Sequence, residues 1–332
     1  MNGSERRLAL VAGGGGFIGG HLVNALLREG TPVRAVDVKP LEEWYQVSDE
    51  AENLQLDLSL REPCYKATRG ASEVFNLAAD MGGIGFIENY KASCMLSVLI
   101  NTHMLMAARD EGVNRYFYSS SACVYAADKQ VDADVIALRE QDAYPAMPED
   151  GYGWEKLFSE RMCRHFREDY GLPTRVARYH NVYGPYGTYD GGREKAPAAI
   201  CRKVATAVLA GADEIEIWGD GEQTRSFMYV DDCVEGTIRI ARGDWVEPLN
   251  LGSAELVTIN QMVGLVEGIA GVELEHRHRL DAPQGVRGRN SDNTLIQEAF
   301  GWEPRIPLRN GLSETYAWIR EQLERDLALT VQ

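Results

Sequence analysis

Tyr152 and Lys156 lie four residues apart in the segment YGWEK, and together they could move a proton. On a helix the two side chains share one face, with ~5–6 Å between their β-carbons. A nearby ammonium group lowers the pKa of a phenol from its reference value of about 10, so Tyr152 could take a proton from an alcohol while a hydride leaves the same carbon. Ser121 or Ser120, at the end of a predicted strand, could hydrogen-bond that alcohol. Alternatively, the segment is the exposed face of an amphipathic helix.

Cys123 and Lys195 are two further side chains that are suited to proton transfer. Cys123 follows a predicted strand at 116–118, and ligands bind at the carboxyl edge of an open parallel sheet. The reference pKa is about 8.5 for cysteine and about 10.4 for lysine. The thiol therefore needs modest tuning, whereas the amine needs burial or cations nearby, such as Arg193 and Lys203. The alternatives, a buried structural thiol and an exposed loop cation, stay open at this point.

A glycine-rich turn predicts the cofactor that would accept the hydride. The run LALVA is typical of a buried strand, and GGGGFIGGHLVNALLREG follows it, with Gly13, Gly16 and Gly19 spaced by threes. Such glycines let the backbone approach a pyrophosphate at the amino end of a helix. A second strand, PVRAVD, ends at Asp37, which can bind the ribose hydroxyls of adenosine and would repel a 2′-phosphate. The order of these elements predicts NAD rather than NADP.

The elements that must position these residues alternate between strands and helices. Strands are predicted at 53–59 and 72–79, a long helix at about 90–109, and a helix that begins near Asp150, a plausible N-cap. This order predicts an α/β fold, a Rossmann-type doubly wound parallel sheet with right-handed crossovers. Residues 1–178 are the predicted NAD-binding domain, to which later segments return. Residues 179–332, with a strand pair at 214–230, are mainly a smaller α/β substrate-binding lobe.

Composition argues against several classes of function. The 332-residue chain has a formal net charge of -16, which argues against broad binding to nucleic acid or anionic membranes. No apolar run approaches the ~20 residues of a membrane span, and the N-terminus has no signal-peptide pattern, so we expect a cytoplasmic protein. The six cysteines are scattered without C-x-x-C pairs. We therefore expect reduced thiols and no metal site.

Several stretches resemble the extended short-chain dehydrogenase/reductase family, which acts on nucleotide sugars. They are NLAADMGGIGFI, SSSACVY, YGWEK, HNVYGPYGT, GGREKAPAA, WGDGEQTRSF and GVRGRNSDN. Within that family they are similar to enzymes that invert carbons 3 and 5 of a GDP-hexose. Generic members usually have Ser-x-Thr near the position of Cys123, and that pattern is missing here. The resemblance implies a GDP-sugar substrate and a homodimer formed through helices near 90–110 and 152–170.

The implied chemistry begins with oxidation of carbon 4 to a ketone, which acidifies the hydrogens on carbons 3 and 5. Inversion then needs a base on one face of the sugar and an acid on the other, with stabilisation of the enolate between the two steps. The resemblance gives this acid/base pair to Cys123 and Lys195, and the redox step to Ser121, Tyr152 and Lys156. The predicted NAD-binding residues are Gly13, Gly16, Phe17, Ile18, Gly19, Asp37, Asp57, Leu77, Tyr152 and Lys156.

Arginines are the expected ligands of the substrate's diphosphate, because guanidinium groups bind phosphate oxygens in a bidentate manner. Arg225, Arg287 and Arg289 are the candidates, although a single arginine could equally form a surface ion pair. With the residues that the resemblance adds, the predicted substrate-binding set is Gly82, Gly83, Ser121, Asn181, Lys195, Lys203, Gln223, Arg225 and Arg289. His180 and His165 are expected to be structural or surface residues.

Two other functions are compatible with parts of this pattern. Another sugar-nucleotide enzyme of the same fold, such as a 4-epimerase, would not need Cys123. A non-catalytic NAD-binding protein would not need the proton relay of Tyr152, Lys156 and Ser121.

Overall fold

The computed structural model describes residues 8–282 and 285–330. The chain's first seven residues, which belong to the segment examined for a signal peptide, lie outside this range. The described strands are β1 Ala9–Ala12, β2 Val33–Asp37, β3 Glu52–Gln55, β4 Glu73–Asn76, β5 Arg115–Ser121, β6 Thr174–Tyr179, β7 Val182–Tyr183, β8 Glu214–Trp218, β9 Thr224–Ser226, β10 Met228–Tyr229, β11 Leu249–Leu251, β12 Leu256–Thr258, β13 Glu275–Arg279 and β14 Gly288–Arg289.

The described helices pack around and beyond a central sheet. They are α1 Phe17–Arg28, α2 Arg61–Thr68, α3 Ile84–Asn89, α4 Lys91–Leu96, α5 Val98–Asp110, α6 Tyr152–Tyr170, α7 Ala196–Ala210, α8 Val230–Arg242, α9 Ile259–Ala270, α10 Thr294–Phe300 and α11 Leu308–Thr330. Short 3₁₀ turns include Ala122–Val124, directly after β5.

The central sheet has seven strands within the described ranges, in the order β11-β6-β5-β4-β1-β2-β3, and every adjacent pair is parallel. Alternate residues of β1 face opposite sides: Ala9 and Val11 belong to one core and Leu10 and Ala12 to the other. Helices α1 and α8 cover the first side, whereas α2, α5 and α6 cover the second. The predicted doubly wound parallel sheet is therefore confirmed.

The second half of the chain contributes to both the sheet and a smaller lobe. Strand β11 pairs with β6, so a late segment returns to the central sheet. The remaining strands form small sheets, β10-β7, β12-β9-β14 and β13-β8. A division at residue 178 would cut β6, and the proposed two-domain boundary stays a prediction. Among the described helices, none combines the length and apolar character needed to cross a bilayer.

Three local predictions are wrong in detail. The helix expected at about 90–109 divides at Ser97, whose Oγ accepts a hydrogen bond from the Asp80 amide at 3.0 Å. Helix α6 has Gly151 rather than Asp150 at its N-cap, with φ of 78°, because the Asp150 carboxylate instead pairs with Lys91 Nζ at 2.8 Å. The strands at 214–230 do not pair with each other: β8 pairs with β13, and β9 pairs with β12 and β14. The expectation was wrong because the true partners come from later parts of the chain.

Candidate active site

A cavity of about 860 Å³ opens at the carboxyl ends of the central strands. All of the predicted cofactor and redox residues line this cavity, together with the predicted substrate residues Gly82 and Lys195, although they come from separate loops. They are Gly13, Gly16, Phe17, Ile18, Gly19, Asp37, Asp57, Leu77, Gly82, Ser121, Tyr152, Lys156 and Lys195. The sheet order reverses between β1 and β4, so this cavity lies at the topological switch point where open α/β sheets bind ligands.

The glycine turn between β1 and α1 has the close packing that a dinucleotide site requires. Gly13 has φ of 84°, in the left-handed region that favours glycine. A side chain at Gly19 would overlap the Gly13 carbonyl oxygen. Asp37 ends β2 beside this turn, is 9% exposed, and accepts a hydrogen bond from the Lys39 amide at 3.1 Å. The residues present therefore fit NAD, with the turn at its pyrophosphate and Asp37 at its adenosine ribose.

The redox candidates meet where β5 ends and α6 begins. Ser121 ends β5, and its side chain hydrogen-bonds to the Tyr152 hydroxyl and accepts the Cys123 amide at 3.2 Å. Lys156 Nζ lies 5.4 Å from the centroid of the Tyr152 ring and donates to the Ser119 carbonyl oxygen at 3.2 Å. Of the two serines considered, Ser120 instead donates to Glu160 Oε1 at 2.5 Å, so Ser121 is the one available at the cavity.

The electrostatics around Tyr152 differ from the expectation. Burial raises the pKa of the Tyr152 phenol well above its ordinary value, and nearby Cys123 and Glu155 add to this rise. The Ser121 hydrogen bond opposes the shift. Lys156 is 2% exposed and lies 3.7 Å from Glu155 Oε2. In the protein without bound ligands, desolvation therefore outweighs the cation that we expected to lower this pKa.

Cys123 lies in the 3₁₀ turn after β5 and is 6% exposed. Burial and, to a smaller extent, nearby Glu149 raise the pKa of its thiol to about 11, against the opposing effect of Arg289. Arg289 Nη1 donates to Cys123 Sγ at 3.7 Å, and Arg289 Nε donates to Gln130 Oε1 at 2.5 Å. Glu149 and Gln130 were not predicted, because neither belongs to a motif with recognisable spacing. The thiol itself is not part of the described cavity wall.

Lys195 is the N-cap residue of α7 and lines the cavity. Burial lowers the pKa of its amine, and Cys123 is near enough for a thiolate to oppose that shift. Its loop packs on the predicted sugar loop: the Gly83 amide donates to the Arg193 carbonyl oxygen at 2.9 Å. The Arg193 guanidinium lies 3.8 Å from the Phe86 ring centroid, on the predicted sugar-loop side.

The other predicted substrate residues lie outside the described wall of this cavity: Gly83, Asn181, Lys203, Gln223, Arg225 and Arg289. Arg225 and Arg289 occupy paired positions on β9 and β14. Burial lowers the pKa of Arg225 to about 9, and the charge of Arg289 contributes to that shift. The structure thus places two guanidinium groups close together beside Cys123.

Contacts distinguish the remaining candidates. Arg287 forms an ion pair with Asp220 at 2.8 Å. Lys203 Nζ donates to the Glu216 carbonyl oxygen at 2.8 Å, and Asn181 Nδ2 donates to the Ser226 carbonyl oxygen at 3.0 Å. Gln223 is 6% exposed, and its Oε1 has no hydrogen-bond partner among the described residues.

His180 and His165, which were expected to be structural or surface residues, lie in different surroundings. His180 is fully buried, and His165 is exposed beside Glu168. Across the described ranges, no group of three or more histidine, cysteine or acidic side chains is placed to hold a metal ion.

Comparisons with known proteins agree with this geometry. The model of the NAD dependent epimerase/dehydratase family matches residues 9–252. GDP-mannose 3,5-epimerase 1 of Oryza sativa subsp. japonica is 48% identical over 324 residues, which are 97% of this chain and 84% of the rice protein. GDP-mannose 3,5-epimerase of Arabidopsis thaliana is 46% identical over 326 residues, 98% of this chain and 85% of the plant protein. UDP-glucose 4-epimerase of Thermotoga maritima superposes with a TM-score of 0.85 at 28% identity, over 95% of this chain and 99% of its own.

Proposed function

This chain belongs to the NAD dependent epimerase/dehydratase family, and we propose that it inverts carbons 3 and 5 of GDP-mannose to give GDP-L-galactose and, after a single inversion, GDP-L-gulose. The predicted family and the predicted NAD-dependent isomerase activity are confirmed by the family match and by the two plant relatives, which are GDP-mannose 3,5-epimerases. What supports this reaction in particular is that the Cys123 thiol lies near both Tyr152 and the Lys195 amine, and that this amine shares the cavity wall with Ser121 and Tyr152.

The first step needs a base for the hydroxyl on carbon 4. When bound, NAD supplies the acceptor for the hydride of carbon 4 and returns that hydride at the end of the cycle. Ser121 would hold the hydroxyl and Tyr152 would take its proton. Because burial opposes ionisation of Tyr152, the ammonium of Lys156 near its ring is needed to stabilise the phenolate.

Inversion then uses Cys123 and Lys195 in opposite protonation states. Burial raises the pKa of the thiol to about 11 and lowers the pKa of the amine. At neutral pH the thiol therefore holds its proton and can act as the acid, and the lowered pKa of the amine favours its neutral form, which can act as the base. Lys195 would remove a proton from the carbon next to the ketone, and Cys123 would return one to the opposite face.

The substrate's diphosphate would bind to Arg225 and Arg289. Burial lowers the pKa of Arg225 and repulsion from Arg289 adds to that shift, so an anion between the two guanidinium groups would relieve the repulsion. The buried Gln223 Oε1, which lacks a partner among the described residues, would accept a hydrogen bond from the nucleotide.

The reaction is tested by incubating the protein with GDP-mannose in deuterated water and following the sugar protons by NMR. We expect deuterium at carbons 3 and 5. Cys123→Ser should keep bound NAD but lose this exchange by ~10²-fold or more, the usual contribution of a general acid or base. Cys64→Ala, which changes another buried cysteine, on α2, is the matched control and should exchange normally. Inversion at carbon 4 alone, as in a 4-epimerase, or full exchange by Cys123→Ser would contradict the assignment.

We also propose that the protein is a homodimer. The supporting observation is a set of exposed apolar side chains on three neighbouring helices, α4, α5 and α6. They are Met95, Leu96, Leu99, Trp154 and Phe158. Helix α6 packs against both α4 and α5, so these helices form one continuous layer, and a second copy would cover its apolar residues.

A cytoplasmic location is a further proposal. All six cysteines are free thiols in the structure, which is typical of proteins that work in a reducing compartment.

A further inference from the structure

Glu149 contacts Cys123 in two ways. Its amide donates to the Cys123 carbonyl oxygen at 3.0 Å, and its carboxylate is near enough to the Cys123 thiol to raise the pKa of that thiol. Arg289 bridges the same two side chains, with Nη1 at 3.7 Å from Sγ and Nη2 at 3.5 Å from Glu149 Oε2. The thiol is thus held between one cation and one anion.

The two sides of this contact differ in their access to water. Cys123 is 6% exposed, whereas the Glu149 side chain is 22% exposed. The Glu149 side chain is therefore accessible to water and lies next to a thiol that is buried.

Each inversion changes the protonation states of both catalytic groups. The Lys195 amine gains the proton that leaves the sugar carbon, and the Cys123 thiol loses the proton that the opposite face receives. The pair is left as ammonium and thiolate, which is the wrong combination for inverting the second carbon. The ammonium can release its proton into the cavity that Lys195 lines, but the buried thiolate must also be reprotonated.

We infer that Glu149 is a proton-relay residue that returns a proton from solvent to Cys123 after each inversion. The inference rests on the proposed function. A proton from water binds the carboxylate, and the carboxylic acid passes it to the thiolate, which restores both the carboxylate and the thiol. No electron pair or other group is transferred in the relay.

Four other charged or titratable groups influence Cys123 or are influenced by it: Arg289, Arg225, Lys195 and Tyr152. The two guanidinium groups keep their protons near neutral pH and cannot cycle. Lys195 is the partner that needs the opposite change, and Tyr152 serves the redox step. Unlike these four groups, Glu149 is placed to exchange protons with Cys123 without taking part in the inversion or the redox step.

The first experiment compares turnover of Glu149→Gln with Asp150→Asn, the same chemical change at the next residue, where the carboxylate pairs with Lys91 instead. Glu149→Gln should slow turnover at least tenfold, and small carboxylic-acid buffers such as formate should restore it in proportion to their concentration at fixed pH and ionic strength. Glu149→Asp should retain part of the rate without added buffer. Asp150→Asn should behave as wild type at every buffer concentration. Wild-type turnover in Glu149→Gln, or slow turnover that formate does not restore, would overturn the relay.

The second readout does not depend on epimerase activity. Iodoacetamide alkylation of Cys123, located by peptide mass spectrometry, reports its thiolate fraction as a function of pH. Removing the Glu149 charge while Arg289 stays should stabilise the thiolate and so lower the pKa of the Cys123 thiol. Alkylation should become ~10-fold faster for each unit by which this pKa falls. An unchanged profile in Glu149→Gln would overturn the coupling. If the wild type does not epimerise and the profile still shifts, the proposed function fails while the Glu149–Cys123 coupling stands.

Discussion

His180 is buried near Arg289 and Arg178, and only one of its ring nitrogens has a hydrogen-bond partner among the described residues. Its Nε2 bonds to Asn250 Oδ1 at 2.9 Å, whereas Nδ1 has no hydrogen-bond partner among the described residues. Burial lowers the pKa of His180 to about 3, and the charges of Arg289 and Arg178 contribute. Between about pH 3 and pH 6.5 the imidazole therefore stays neutral in the folded protein, whereas the unfolded chain would protonate it.

This burial makes stability depend on pH. Between pH 6.5 and about 3 the unfolded chain binds a proton at His180 that the folded chain does not bind, so stability falls as the pH falls through this window. The loss attributable to His180 is about 2 kcal/mol at pH 5. In His180→Asn, the drop in melting temperature between pH 7.5 and pH 5 should be smaller than in wild type, as measured by calorimetry. His165→Asn, at an exposed histidine, should keep the wild-type drop. Equal drops in His180→Asn and wild type would contradict this account.

At the scale of single residues, the sequence predicted the cofactor side of the site better than the substrate side. Gly13, Gly19 and Asp37 act through local backbone geometry, which short motifs encode, and all of them line the cavity. The contact of Glu149 with Cys123 and Arg289 could not be predicted, because it joins three segments that meet only in the folded chain. The pKa of Tyr152 was misjudged for the same reason, since the degree of burial depends on tertiary packing.

At the scale of elements, two loops position Lys195. The loop before α3 contains Gly82 and Gly83, and it packs on the residues just before α7. A β-carbon at Gly83 would overlap the carbonyl oxygen of Glu194. The close approach of these loops therefore depends on the missing side chain, and it determines where the amine of Lys195 lies.

A side chain at this contact should impair inversion without loss of cofactor. Gly83→Ala should push the Glu194 carbonyl away, displace Lys195 and lower deuterium exchange at carbons 3 and 5 by up to ~10²-fold, since a shift of ~1 Å can have that effect. NAD binding should be retained, because the Gly13 turn is untouched. The matched control is Gly85→Ala, where a β-carbon would meet no atom within 4 Å. Equal exchange rates in the two variants would show that the loop contact does not position the lysine.

Elements were predictable where their partners are adjacent in sequence or their apolar pattern is continuous. β1 is buried on both faces and reads directly as a strand of a parallel sheet. β8 was recognised as a strand, but its partner β13 has the exposed sequence EHRHR and lies far along the chain. Pairing between distant segments depends on how the smaller lobe folds. The apolar periodicity of a single segment carries no information about that.

At the scale of the whole molecule, the net charge of -16 and the basic site have to coexist. Arg225 and Arg289 come from the small β12-β9-β14 sheet, while the cavity belongs to the central sheet. The second half of the chain therefore brings local positive charge close to Cys123 in a protein that is acidic as a whole. A diphosphate would be attracted to this point and repelled by most of the remaining surface.

Assembly is the property of the whole molecule that the exposed apolar residues of α4, α5 and α6 predict. Trp154 and Phe158 are four residues apart on α6 and share one helical face. Met95 on α4 and Leu99 on α5 are exposed on either side of Ser97, where these two helices meet. A charge at the centre of a two-fold interface would be placed near its own symmetry copy and would be buried without a partner. We expect wild type to sediment as a dimer and Phe158→Glu to sediment as a folded monomer in analytical ultracentrifugation. Leu327→Glu, at an exposed leucine on α11, should remain dimeric. A monomeric wild type, or a dimeric Phe158→Glu, would place the interface elsewhere or remove it.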